Sequence, residues 1–201
     1  MNLSFLPNLI TLIRVILLVP LSIFLLREEY TVALIIFVIA GFSDALDGYL
    51  AKHFSWTSRF GAILDPLADK ALLVITMAIL TYNQKLSWAL LITVLIRDIY
   101  IVAGAYYYHY RLGPYEMHPS YLSKFNTFVQ LLLVSCLLVN YGYNPLPDWF
   151  VNGLIILTYL TTISSGIHYG WVWGNKFKAE LNARDQQAAS IDSESDHPPA
   201  S

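Results

Sequence analysis

The chain has 201 residues, of which 56% are hydrophobic and only 13% charged, and its formal net charge is −2. Soluble domains carry roughly 25% charged residues, so this composition is typical of a membrane protein. The small negative charge gives no sign of a nucleic-acid partner. The single cysteine, Cys136, excludes an internal disulfide and disfavours a cysteine-based metal site.

Six apolar segments of about 20 residues, the length that crosses a bilayer core of roughly 30 Å, follow one another along the chain. They cover residues 8–26, 31–50, 60–82, 86–108, 121–140 and 147–171. The sequence therefore predicts an all-α, polytopic membrane protein with six transmembrane helices in one domain, residues 1–174. Residues 175–201 are polar, and a disordered tail is expected there because they have little apolar surface to bury.

Basic residues outside these segments are distributed unevenly between the two sides of the membrane. One side has only Arg27 and Lys85. The other side has seven: Lys52, Arg59, Arg111, Lys124, Lys176, Lys178 and Arg184. Because cytoplasmic loops are enriched in Lys and Arg, this distribution predicts that both termini lie in the cytoplasm.

Four carboxylates lie in the stretch "SDALDGYLAKHFSWTSRFGAILDPLADK", residues 43–70, around the first cytoplasmic connection. Asp44 and Asp47 are three residues apart, and Asp65 and Asp69 are four apart, so on helices each pair lies along one face. Left unpaired in a bilayer, four such residues would cost on the order of 10 kcal/mol. Oxygen ligands of this kind suit a hard divalent cation such as Mg²⁺.

Two alternatives also account for the carboxylates. They could pair with Lys52, Arg59 and Lys70 and only hold two helices together, or they could line a divalent-cation transporter, a different class of protein. Neither alternative explains the small residues of the same stretch, which remove side chains where a ligand must approach the backbone closely. These small residues are Gly48, Ala51 and Gly61.

The spacing of these residues resembles the signature of the CDP-alcohol phosphatidyltransferases, and all but one of its fixed positions agree. The matching residues are Asp44, Asp47, Gly48, Ala51, Gly61, Asp65 and Asp69. The departure is Lys52, where the family usually has Arg; lysine keeps the positive charge but lacks the bidentate fork. The resemblance covers residues 5 to about 174.

The resemblance implies an enzyme of phospholipid biosynthesis, a Mg²⁺-dependent phosphotransferase. It would transfer a phosphatidyl group from CDP-diacylglycerol to an alcohol and release CMP. Two Mg²⁺ ions are implied, with Mn²⁺ as an alternative, and Asp69 is implied to be the general base. The implied metal ligands are Asp44, Asp47, Asp65 and Asp69.

The residues implied to bind the CDP-lipid are Asn8, Thr11, Asp44, Gly48, Ala51, Lys52 and Gly61. Asn8 and Thr11 belong to the opening "PNLITLIR", which is similar to the family's first span and places Arg14 near the phosphates. An N-cap role for Asn8 is an equally good interpretation. The resemblance also implies a homodimer. The expected location is a bacterial inner (plasma) membrane, among membrane lipids, with the active site facing the cytoplasm.

The alcohol must be inferred from residues outside the signature. "LIRDIYIV" in the fourth span and "SKFNTFVQ" in the fifth resemble the cardiolipin synthase branch, whose acceptor is phosphatidylglycerol. Phosphatidylglycerophosphate synthases, which use glycerol 3-phosphate, more often have Glu at the position of Asp98 and a more basic start of the fifth span. Asp98 and Asn126 therefore favour phosphatidylglycerol, with glycerol 3-phosphate as the alternative.

Both acceptors are anionic because each carries a phosphate. Arg97, Arg111 and Lys124 are the residues predicted to bind that phosphate. The alternative for Arg97 is a buried structural pair with Asp98.

Overall fold

In this computed structural model the backbone is described for residues 6–54, 61–112 and 121–195, and the side chains for residues 12–43, 67–104, 106–107, 121–172 and 174. The described backbone forms six helices: α1 (Leu6–Leu26), α2 (Tyr30–Phe54), α3 (Gly61–Tyr82), α4 (Trp88–Leu112), α5 (Tyr121–Gly142) and α6 (Asp148–Ser195). No strand occurs within these ranges, so the all-α prediction is confirmed. Each helix begins and ends within a few residues of a predicted apolar segment, except at the end of α6.

α6 continues as helix as far as Ser195, well past residue 171, where the sixth apolar segment ends. The separate polar tail from residue 175 stays a prediction. Residues 175–195 include neither Gly nor Pro and are rich in Ala, Glu, Gln and Lys, which are strong helix formers. They also extend a helix that already exists, so they need no new nucleus. The low apolar content of the segment limits its packing but not its helical propensity.

α1 and α3 end in the same way. Each is followed by a non-glycine residue in the left-handed conformation, Glu28 with φ 58° and Gln84 with φ 61°. The N–H of the next residue then donates to the carbonyl oxygen five positions earlier, at 2.9 Å after Glu28 and 2.8 Å after Gln84. This is the hydrogen bond of a Schellman motif, which satisfies carbonyls at the helix end and reverses the chain within a few residues.

The helices pack in a particular order. α1 packs against α2 and α3, α5 packs against α6 and α2, and α4 packs against α6. Leucine dominates the centre, where the fully buried side chains include Leu21, Leu25, Met77, Leu80, Leu90, Leu133, Leu137 and Leu138. Within the described residues, α2 and α3 make few contacts with each other, and an opening bordered by α2, α3 and α5 lies there.

Many large apolar side chains lie on the outside of this bundle, among them Phe42, Val102 and Ile167, each about two-thirds exposed. An apolar exterior of this extent is unfavourable in water and suits a lipid environment. In the described residues, Tyr121–Gly142 and Asp148–Val172 are long and apolar enough to cross a membrane by length and composition. The apolar stretches Leu12–Leu26 and Tyr30–Ser43 are shorter, so six spans remain a prediction.

A close approach between α5 and α2 depends on Gly142. A Cβ at this position would lie 2.6 Å from the backbone nitrogen of Thr31 and 2.7 Å from the carbonyl carbon of Tyr30. The Thr31 hydroxyl also donates to the Gly142 carbonyl oxygen. Because backbone atoms cannot move aside cheaply, we expect Gly142→Ala to lower the free energy of unfolding by about 1–3 kcal/mol, the usual cost of overpacking.

The measurement is unfolding of the purified protein in mixed detergent micelles. Gly153→Ala is the matched control, because a Cβ at that exposed position of α6 meets nothing within 4 Å. Alanine also has the higher helix propensity there, so Gly153→Ala should be neutral or stabilising by up to about 1 kcal/mol. Equal stability of the two variants would contradict the close approach at Gly142.

Candidate active site

Asp69, the predicted general base, forms an ion pair with a buried arginine. Nη1 of Arg14, on α1, donates to Oδ1 of Asp69, on α3, at 2.6 Å. The Arg14 side chain is fully buried, whereas that of Asp69 is 42% exposed. A buried guanidinium needs a negative partner because desolvation is costly, so Asp69 stabilises α1 against α3 and still has an accessible carboxylate.

The accessible side of Asp69 faces a cavity of about 320 Å³ at the opening between α2, α3 and α5. Its lining residues are Gly41 from α2, Asp69, Lys70, Leu72 and Leu73 from α3, and Thr127 and Leu131 from α5. Most of this lining is apolar, and the charged groups are the adjacent Asp69 and Lys70. A few charged groups in a mostly apolar cavity are typical of ligand sites, where low polarity strengthens electrostatic interactions.

A second charged cluster lies beside this cavity and joins four helices. Lys70 Nζ of α3 donates to Asp98 Oδ2 of α4 at 2.5 Å. Arg97 Nη1 donates to the other oxygen of Asp98 at 2.8 Å. Arg97 Nη2 donates to the hydroxyl oxygens of Ser123 on α5 and Ser165 on α6, at 2.6 Å each. Arg97 is 7% exposed, so its guanidinium is a buried connection between α4, α5 and α6.

This geometry agrees with the alternative for Arg97, a buried pair with Asp98. Binding of the acceptor phosphate by Arg97 stays a prediction. Sequence reasoning did not assign a role to Ser123 or Ser165. The signal for Ser165 was the polar run "TTISS", residues 161–165, in the otherwise apolar last span, and Ser123 begins the stretch "SKFNTFVQ".

Asn126, which favoured the cardiolipin synthase branch, lies fully buried between α5 and α6. Its Oδ1 accepts hydrogen bonds from the hydroxyls of Thr161 and Thr162, both at 2.9 Å. Hydrogen bonds of this kind between helices stabilise membrane bundles modestly. In the described structure Asn126 therefore contributes to helix packing.

Lys124, the other predicted acceptor residue with a described side chain, is exposed on α5. Its Nζ lies 5.9 Å from the centre of the Tyr121 ring. It lines a second cavity of about 360 Å³ with Ser123, Thr127, Phe128 and Leu131. Thr127 and Leu131 also line the cavity at Asp69, so the two cavities are neighbours along α5.

The other predicted residues are placed by their backbone alone. Asn8 and Thr11 lie in α1, and because α1 begins at Leu6, Asn8 is inside the helix and not at its N-cap. The remaining positions are Asp44, Asp47, Gly48, Ala51 and Lys52 in α2, Gly61 and Asp65 in α3, and Arg111 in α4. Their side chains, like residue Arg59, lie outside the described residues.

The carboxylate pairs have the helical backbone on which the metal prediction depends. α2 contains Asp44 and Asp47, and α3 contains Asp65 and Asp69, so the members of each pair are about one turn apart. Among the side chains that the structure describes, no three His, Cys, Asp or Glu residues come together. Three of the four aspartates lie outside that set. The carboxylate oxygens of the four aspartates, with the accessible carboxylate of Asp69 among them, are ligands that fit a hard divalent cation.

Comparison with known proteins identifies the class. The family model for CDP-alcohol phosphatidyltransferases matches residues 4–164, and the chain belongs to this family. The match contains both aspartate pairs, Arg14 and the Arg97–Asp98 pair. The apolar helices and the family together indicate a membrane protein.

The relatives fall into two groups by name. Over 183 residues the chain is 33% identical to cardiolipin synthase (CMP-forming) of Rattus norvegicus, covering 82% of this chain and 61% of that protein. Over 167 residues it is 33% identical to CDP-diacylglycerol–glycerol-3-phosphate 3-phosphatidyltransferase of Aquifex aeolicus, covering 81% of this chain and 92% of that protein. The corresponding enzyme of Haemophilus influenzae is 34% identical over 170 residues, with coverages of 81% and 90%. The chain thus spans about 61% of the rat protein and nearly all of the Aquifex one.

Proposed function

We propose that this protein is a membrane-bound CDP-alcohol phosphatidyltransferase of phospholipid biosynthesis. It transfers the phosphatidyl group of CDP-diacylglycerol to an alcohol and releases CMP. The observation that carries the proposal is the accessible Asp69 carboxylate on a cavity, within a chain whose α2 and α3 carry the family's aspartate spacing. A cation transporter would use the carboxylates but would have no need of a CDP-lipid cradle.

In the proposed reaction, the acceptor hydroxyl oxygen attacks the phosphorus of the lipid-bearing phosphate. The bond from that phosphorus to the bridging oxygen of CMP breaks, and CMP leaves with the bond's electron pair. Asp69 takes the hydroxyl proton as general base. The ion pair with Arg14 fixes one oxygen of Asp69 and thereby orients the carboxylate.

Two Mg²⁺ ions, or Mn²⁺ in their place, are part of the proposal. When bound, they would supply charge neutralisation for the pyrophosphate and the leaving oxygen. The proposed ligands are Asp44, Asp47, Asp65 and Asp69. The proposed CDP-lipid cradle consists of Asn8, Thr11, Asp44, Gly48, Ala51, Lys52 and Gly61.

The proposed setting is a bacterial inner membrane, crossed six times, with both termini and the active site on the cytoplasmic side. The excess of Lys and Arg around residues 51–59 and 109–124 supports this orientation. The apolar exterior of the described helices supports membrane insertion. A homodimer is also proposed, because the family resemblance implies one.

Phosphatidylglycerol is the proposed acceptor, which would make cardiolipin the product. The sequence around Asp98 and Asn126 supports this choice, and a protein named cardiolipin synthase is among the relatives. Glycerol 3-phosphate is the second candidate. It is favoured by a specific observation, the near-complete coverage of the named Aquifex glycerol-3-phosphate phosphatidyltransferase.

The test is CMP release by purified protein in mixed micelles that contain CDP-diacylglycerol and Mg²⁺. Phosphatidylglycerol and glycerol 3-phosphate are supplied in parallel, and a sample with EDTA measures the metal dependence. We expect Mg²⁺-dependent CMP release with phosphatidylglycerol. Turnover with glycerol 3-phosphate but not with phosphatidylglycerol would show that glycerol 3-phosphate is the acceptor. Absence of CMP release with both compounds would contradict the proposed function.

A further inference from the structure

Lys70 is a charged residue of the cavity that the proposed mechanism leaves without a role. It follows Asp69 on α3, and both side chains line the same cavity. The Lys70 side chain is 39% exposed, although its Nζ lies 2.5 Å from Asp98 Oδ2. The ammonium is therefore held at one position by Asp98, on a side chain that lines the cavity and is partly exposed.

The charges around Lys70 do not cancel. Asp98 accepts hydrogen bonds from both Lys70 and Arg97, so one carboxylate serves two cations. This trio has two positive charges and one negative charge, which leaves one positive charge. Arg14 and Asp69, one cation and one anion, form a neutral pair nearby. Among the described side chains, the trio of Lys70, Asp98 and Arg97 therefore places a net positive charge beside the cavity, and this charge attracts an anion.

A ligand in the cavity can contact the excess positive charge at Lys70 but not at Arg97. The Arg97 side chain is 6% exposed, and its two terminal nitrogens donate to Asp98, Ser123 and Ser165. Lys70 has three donors, of which one is directed at Asp98. The apolar Leu72, Leu73 and Leu131 of the lining lower the local polarity, which strengthens the attraction of a phosphate to the ammonium.

We propose that Lys70 binds the phosphate of the acceptor alcohol and so holds the acceptor beside Asp69. This inference rests on the proposed function and adds a residue to its acceptor site. The chemistry recognised is a glycerol-linked phosphate, which glycerol 3-phosphate carries as a free anion and phosphatidylglycerol as part of its headgroup. The cavity volume of about 320 Å³ accommodates such a group.

The experiment compares Lys70→Met, which removes the charge, with Lys70→Arg, which keeps it. Lys85→Met is the matched control, because Lys85 lies in the connection between α3 and α4, where its Nζ is 3.7 Å from Glu28. KM is measured for the acceptor and for CDP-diacylglycerol. Binding of radiolabelled glycerol 3-phosphate, and of radiolabelled phosphatidylglycerol in mixed micelles, is measured separately without the donor.

We expect Lys70→Met to raise the acceptor KM and weaken acceptor binding about tenfold or more, the scale of a lost charge-assisted hydrogen bond. The KM for CDP-diacylglycerol should change less than about twofold, Lys70→Arg should restore most of the acceptor affinity, and Lys85→Met should behave as the wild type. If Lys70→Met weakens the binding of only one of the two acceptors, that acceptor is the source of the phosphate. Lys70→Gln replaces Lys70→Met if the latter does not fold.

Each of the following results would overturn the role of Lys70 and leave the proposed function intact. One is normal acceptor KM and binding in Lys70→Met; the other is a parallel rise in both KM values that Lys70→Arg does not correct, which indicates a structural role. Absence of acceptor binding by the wild type would also overturn it. The converse outcome is a wild type that binds the acceptor more tightly than Lys70→Met does and yet releases no CMP. That result would support the phosphate site and contradict the proposed function.

Discussion

Asp69→Asn is expected to lower kcat for CMP release roughly 10²-fold or more, the usual scale for loss of a general base. Asparagine has nearly the same size, and its amide oxygen can still accept the hydrogen bond that Arg14 now donates to Asp69. It cannot take the proton of the acceptor hydroxyl. The affinity for CDP-diacylglycerol should change far less than kcat, because three of the four proposed metal ligands remain.

The measurement is kcat with saturating acceptor, together with Mg²⁺-dependent binding of the CDP-lipid and thermal unfolding in the same detergent. Glu29→Gln is the matched control, since it removes an exposed carboxylate from the connection between α1 and α2. It should leave kcat unchanged. Turnover of Asp69→Asn at the wild-type rate would show that another group accepts the proton.

Arg97→Met is expected to lower the free energy of unfolding by about 3 kcal/mol, the scale seen when one partner of a buried ion pair is removed. Methionine fills part of the volume but cannot donate to Asp98, Ser123 or Ser165, and three helices lose their shared connection. Arg97→Lys should recover only part of the loss, because an ammonium cannot reproduce the planar arrangement of donors.

Reversible unfolding in mixed micelles with increasing sodium dodecyl sulfate measures this loss. Arg27→Met serves as the control because Arg27 is exposed in the connection between α1 and α2, and its replacement should change stability by less than about 0.5 kcal/mol. Equal stability of Arg97→Met and Arg27→Met would mean that the Arg97 cluster contributes nothing to the packing of α4, α5 and α6.

The predicted end of the sixth apolar segment and the observed end of α6 differ for a physical reason. The low apolar content of residues 175–195 predicts disorder if burial of apolar surface is the only source of order. The backbone continues as helix to Ser195 because the segment has high helical propensity and extends α6. The helix propensity of this segment can be read from the sequence, but the segment forms a helix because it continues the packed part of α6.

Local properties of the sequence were sufficient for the helices and for the family. The apolar segments predicted six helices because hydrophobicity over about 20 residues is a local quantity. Asp65 and Asp69 were assigned to one turn of a helix because their spacing fixes their separation once the backbone is helical. The match of the family model to residues 4–164 confirms the family that the gapped aspartate pattern predicts.

The partners of the charged residues were decided only by the tertiary structure. Arg14 contacts Asp69 across 55 positions, Lys70 contacts Asp98 across 28, and Arg97 contacts Ser165 across 68. No local pattern selects one carboxylate or hydroxyl over another at such distances, since the choice depends on which helices pack together and at what rotation. The sequence by itself determined that these charges occur in apolar helices and therefore need partners, and helix packing determined that Asp69 and Lys70 share a cavity while Arg97 is buried.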